Sequence, residues 1–248
     1  MSLHSNRGHR CAFETLENRW MLTGNVTAQI ANGDLVIEGD DSGNVIAVSS
    51  PTTGSITITG TGTMVNSSPN PVTLTGFTGR IKANMNGGGD NLAFTGITCT
   101  GLRVVMGDGE ETLHLDSLTV NGKTKLKGGT GEDFIKIGLI AANTFNGNLE
   151  IELGKSNDSL EFQDSKVTGK SEIETGKGAD TLTITGTTSG AASFSKLEAE
   201  LGKGDDSLTI KNTTVTDKTR LNGGRGHNTF VDDGGNSLAG LKKKHFES

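Results

Sequence analysis

Three stretches decide the fold: LEIELGKSNDSLEF (Leu149–Phe162), SEIETGKGADTLTI (Ser171–Ile184) and LEAELGKGDDSLTI (Leu197–Ile210). They align residue for residue at offsets of 22 and 26. In the first, Leu149, Ile151 and Leu153 alternate with Glu150 and Glu152, and the other copies place Glu172, Glu174, Glu198 and Glu200 in the same way. A period of two is that of a strand with one buried face. A second apolar pair follows the glycines: Leu160 and Phe162, Leu182 and Ile184, Leu208 and Ile210. The segment between is a turn, where glycine supplies backbone angles that other residues avoid.

Working outward, the pattern G-x-G-x-D-x-L recurs, with degenerate copies, from first positions 40, 61, 86, 107, 129, 154, 176, 202 and 224. The steps are 21, 25, 21, 22, 25, 22, 26 and 22 residues. A nearly constant step means one unit repeated and stacked. A third apolar column lies eight or nine residues before each turn: Phe77, Cys99, Val120, Phe145, Val167, Phe194 and Val215. The long units carry Phe and the short ones Val or Cys, as close packing requires of a wider corner. Three short strands per unit predict an all-β fold, a right-handed parallel β-helix of about nine coils and about 43 Å. A sandwich of hairpins would not need the constant step. The β-helix is expected over 25–235, with 25–64 as degenerate N-terminal coils or a cap. Residues 236–248 read as a C-terminal cap or tail, and 1–24 as a leader outside the fold.

Composition narrows the function. Net charge is −6 and no basic patch is dense enough to track phosphates, which argues against nucleic acid. No run of about 18 apolar residues is present, so no membrane-spanning helix is expected. Tyr is absent and the single Trp, Trp20, lies in the leader, so the aromatic platforms of sugar-processing clefts are missing. The five histidines show neither zinc spacing nor a nucleophile–base arrangement. Cys99 falls in the column of Val120 and Val167 and reads as core.

The chemistry lies in the fifth position of the turn motif, which reads Asp90, Glu111, Asp133, Asp158, Asp180 and Asp206. Stacked about 5 Å apart, each like pair costs roughly 0.8 kcal/mol in water and about 3 kcal/mol at an effective dielectric of 20. Bound cations, turn amides donating to each carboxylate, or countercharge from Lys155, Lys177, Lys203 and Arg225 would each offset this. The earlier coils lack those cations, so Asp90, Glu111 and Asp133 are the candidate calcium ligands. The outward glutamates read as a solvated face that keeps the sheet from pairing sideways.

Two resemblances add to this. CAFETLENRWML (Cys11–Leu22) resembles the F-E-x-L-E-x-R-x-(M/L)-L element near the N-terminus of many planctomycete exported and surface proteins, and the Gly/Asp/Thr-rich coils are similar to the β-helix repeats of that group. GGTGEDFIK (Gly128–Lys136) matches the nonapeptide of RTX calcium-binding repeats in full, which implies Asp133 as a side-chain ligand. The spacing departs from that family: one motif per 22 or so residues, where calcium β-rolls run nonapeptides back to back. Together the resemblances imply an extracellular or cell-surface protein. The expected function is a non-catalytic structural or adhesive rod, with Ca2+ as its one candidate cofactor and a cell-surface or matrix polysaccharide or protein as partner. The alternatives are a calcium-dependent carbohydrate-binding module and a polysaccharide lyase or hydrolase.

Overall fold

The computed structural model describes residues 24–187 and 190–247. The leader, with the Cys11–Leu22 element and Trp20, lies outside the described residues. Alternating sequences become strands whose inward residues are buried: Leu149–Lys155 buries Leu149, Ile151 and Leu153 and turns Glu150 and Glu152 outward. Each such strand pairs in parallel with its counterpart one coil on, so that Leu149 faces Ser171 and then Leu197. The strands after the turns form a second parallel ladder, in which Leu113, Ile135, Leu160, Leu182 and Leu208 stack in register. A narrower third ladder stacks Cys99, Val120, Phe145, Val167, Phe194 and Val215 in the predicted order. The described chain is therefore a parallel β-helix, and its core is a file of apolar side chains running along the axis.

The coil count is lower than expected: about seven turns rather than nine. Leu35 pairs directly with Ile81, and Val45 with Asn91, a single step of 46 residues where the sequence suggested two coils. The copy at Thr61 is not a coil. Ser55–Gly60 runs back antiparallel on Val45–Ser49, and Val72–Thr75 lies antiparallel on Ser55–Gly60. On the other ladder Asn25–Ala31 returns antiparallel to Asp34–Glu38 through Asn32 and Gly33, whose φ angles of 52° and 81° are those of a tight hairpin turn. These antiparallel strands cover the first coil and occupy edges that would otherwise be open to another chain. Seven coils at about 4.8 Å make a rod nearer 34 Å.

At the other end the helical path continues past residue 235. Ser237–Leu238 and Lys242–Lys244 add parallel strands to the last coil. Phe246 packs against Phe230, with ring centroids 5.8 Å apart, and the Lys243 ammonium lies 4.6 Å from the centre of the Phe230 ring. No helix of the described residues is long and apolar enough to cross a membrane.

Candidate functional site

The acidic column stands where the spacing placed it, and it points inward. Asp90, Glu111, Asp133, Asp158, Asp180 and Asp206 are each no more than 2% exposed. Most are held the same way: the backbone N–H of one coil donates to the carboxylate of the next. Asp133 N–H reaches Asp158 Oδ1 at 2.9 Å, Asp158 N–H reaches Asp180 at 2.8 Å, and Asp180 N–H reaches Asp206 at 2.9 Å. Both ends of the series involve asparagine. Asn44 N–H donates to Asp90 Oδ1 at 2.7 Å, and Asp206 N–H donates to Asn228 Oδ1 at 3.0 Å. Of the three ways to offset the repulsion, backbone amides are seen at most rungs. The lysines expected to serve as countercharge are exposed, while the carboxylates are buried.

Amides do not satisfy the column completely. One carboxylate oxygen each of Asp90, Asp158, Asp180 and Asp206, and both of Glu111, are buried without a partner. Burial therefore dominates their acidity. It pushes Asp158 up to about 7 and Asp90 and Asp206 up to about 6 against the amide bonds they accept. Burial also raises Asp133 and Asp180. Glu111 moves strongly upward, first through burial and then through the Asp133 carboxylate beside it. Burial thus favours the protonated form of the acids along the column.

Asp133 differs from its neighbours in the column. Its second oxygen accepts the Gly129 N–H at 3.0 Å. The space for that comes from Gly128, where a Cβ would sit 2.2 Å from Asp133 Oδ2. The structure does bring Asp90, Glu111 and Asp133 together as successive rungs. Among the described residues, however, no group of three or more His, Cys, Asp or Glu side chains converges as a metal site would require. A calcium ion takes six to eight oxygens; here Asp90 Oδ1 accepts the Asn44 N–H, and Asp133 accepts amides on both oxygens, Glu111 N–H at 3.4 Å on Oδ1 and Gly129 N–H at 3.0 Å on Oδ2.

The outer faces are also ladders. Glu150 pairs with Lys123 and Lys125, Glu152 with Lys125 and Lys127, and Glu198 with Lys170, Lys196 and Arg220. These pairs hold Glu150 and Glu198 down to about 2. Four glutamates of the strip predicted as a solvated face, Glu150, Glu152, Glu172 and Glu198, are therefore laced to basic residues around them. Cys99 is buried, and burial raises its thiol to about 11, which keeps it protonated and inert.

The sequence reading passed over Asn44 and Asn228, the asparagine rungs at the ends of the column. The signal was present: both stand at the fifth position of a turn motif. Comparison with family models, with curated proteins and with solved structures found no match to this chain. The fold and column together define a parallel β-helix with an amide-braced acidic corner.

Proposed function

We propose that this chain is a non-catalytic β-solenoid rod of the cell surface or extracellular matrix, structural and adhesive in role. One observation carries the reading. The acids that recur at the turn motif are sealed inside the corner, no more than 2% exposed, and most are tied to backbone amides. A carboxylate in that position braces a turn and cannot reach a glycosidic bond. What the chain offers to partners is its outer surface, where each coil adds one more copy of the same row of side chains. The resemblance of Cys11–Leu22 and of the Gly/Asp/Thr-rich coils to planctomycete exported proteins supports placement outside the cell.

The test has two arms. The purified full chain is incubated with a panel of neutral and acidic polysaccharides, and new reducing ends and unsaturated products are measured. No product is expected, and turnover of any of them overturns the non-catalytic reading. In the second arm intact producing cells are treated with protease. The chain is expected to be degraded, and full protection until the cells are lysed would refute surface placement.

A further inference from the structure

We infer that the glycine-floored groove beside the lysine column binds an anionic polysaccharide lying along the rod. The column is Lys155, Lys177, Lys203 and Arg225, in register from coil to coil. All four are exposed, and among the described residues they form no ion pair. Adjacent coils place these cations about 4.8 Å apart. The contrast with the neighbouring rows is informative. There the same sheet surrounds Glu150, Glu152 and Glu198 with lysines and an arginine. That face compensates Glu150, Glu152, Glu172 and Glu198, whereas Lys155, Lys177, Lys203 and Arg225 stack as four successive cations with no carboxylate partner among the described residues.

Beside the row runs a groove of about 650 Å³. Its floor is backbone, at Gly154, Gly176 and Gly202. Side chains are excluded there: Gly176 has φ +111°, and a Cβ on it would lie 2.1 Å from the Gly154 carbonyl oxygen. The far wall is Glu200 and Asn222, in the row that continues back through Glu174 and Glu152. The two walls stand three positions apart along the chain, Glu200 to Lys203, at most about 10 Å.

The chemistry of the walls selects the occupant. One wall attracts anionic groups at one per coil. On the other, Asn222 Nδ2 donates to Glu200 Oε1 at 3.2 Å, which leaves the second carboxylate oxygen of Glu200 to accept a hydrogen bond from a hydroxyl. A glycan bearing carboxylates or sulfates together with free hydroxyls satisfies both. Nucleic acid fits less well, because the Glu200 carboxylate on the far wall faces the phosphates and His245 is the one ring among the residues that line the groove. The inference deepens the reading of the chain as a non-catalytic surface rod and rests on it.

The experiment measures binding of the full chain to immobilised carboxymethyl-dextran, with unmodified dextran as the uncharged control and a thymidine oligonucleotide as the competing polyanion. Binding to carboxymethyl-dextran but not dextran is expected, and it should weaken as salt is raised. The triple variant Lys155→Gln, Lys177→Gln, Lys203→Gln should lose about tenfold or more in affinity, since each exposed charge contributes modestly. It should keep its circular dichroism and melting temperature. A control triple variant, Lys136→Gln, Lys166→Gln, Lys218→Gln, should keep its affinity. The inference is overturned if the wild-type chain does not bind, if both triple variants lose affinity equally, or if the oligonucleotide binds more tightly. None of those results touches the non-catalytic reading, which fails instead if the dextran chains are shortened during the assay.

Discussion

Replacing Asp158 by asparagine should stabilise this protein at neutral pH and leave it unchanged in acid. Asp158 is buried in the column, accepts the Asp133 N–H at 2.9 Å, and has an unpartnered second oxygen. Its acidity is displaced from 3.8 to about 7. A raised folded-state value means that the folded chain holds the proton more tightly than the unfolded one. The associated stability is complete below about pH 3.8 and is lost as pH rises through about 7. Three units at about 1.4 kcal/mol each give about 4 kcal/mol as an upper figure. Solvent at the corner and relaxation of the column reduce this, so about 2 kcal/mol at pH 7.5 is the quantity to test. Asparagine keeps the acceptor and cannot ionise. The chain already uses it three coils further along the same column: Asn228 accepts the Asp206 N–H and donates through Nδ2 to the His245 carbonyl at 3.2 Å. The assay is urea unfolding of wild type and Asp158→Asn between pH 4 and pH 8. The wild-type curve should fall above pH 5, because Asp90 and Asp206, raised to about 6, have the same sign. The variant's curve should be flatter, crossing above the wild type near neutrality. Parallel curves, or a variant less stable at pH 7.5 with its circular dichroism intact, would refute the argument that burial governs this column.

Other perturbations follow from the same packing. Phe145→Val removes a fully buried ring from the third ladder in a long coil and should cost about 1–3 kcal/mol in chemical denaturation; a neutral result would contradict the match of ring to corner. Ser171→Ala should be neutral or stabilising by about 1 kcal/mol, because its hydroxyl is buried without a partner, and a loss of stability would reveal a bond the structure does not contain. Removing calcium with EGTA should leave the melting temperature unchanged. A drop that calcium restores and that Glu111→Gln abolishes would establish a cation in the column.

Much of this was legible in the letters because a β-helix turns periodicity directly into contact. The alternation around Ile151 and the step between turn motifs were enough to set both long ladders and the Cys99–Phe145–Phe194 column in register. The N-terminal end was misread. Asn32–Gly33 is a hairpin signal, but spacing alone fitted residues 40 to 86 as two coils and hid the antiparallel return strands. The fate of the charges was half legible. The fifth motif position shares its parity with Leu160 and Leu182, so the inward aspect of the acids follows from alternation. Lys155 would also point inward by the parity of Leu149–Lys155. It does not, because Gly154 has φ +125° and reverses the face. A backbone angle of that kind is not written in the alternation, which is why the lysines read as countercharge and the groove beside them went unseen.

The same glycine logic bears on the resemblance to calcium-binding nonapeptides. Gly128–Lys136 matches that consensus in full because it begins with two glycines, and the first has a packing reason of its own. The residue before each turn motif is Met85, Met106, Gly128, Leu153, Thr175 and Leu201 in successive coils. Wherever it carries a side chain, the acid of that coil keeps at least one orphaned oxygen: Asp90, Glu111, Asp158, Asp180 and Asp206. Only behind Gly128 does the carboxylate fold back far enough to take the Gly129 N–H as well. A paired glycine ahead of an aspartate is thus sufficient to satisfy a buried acid with protein groups alone. In a solenoid with one motif per coil, that local satisfaction is an independent reason for the same letters to occur. The sequence match therefore carries less weight for calcium than its completeness suggests, and the orphaned oxygens of Asp90 and Glu111, where the match is poorer, are the better place to look for an added ion.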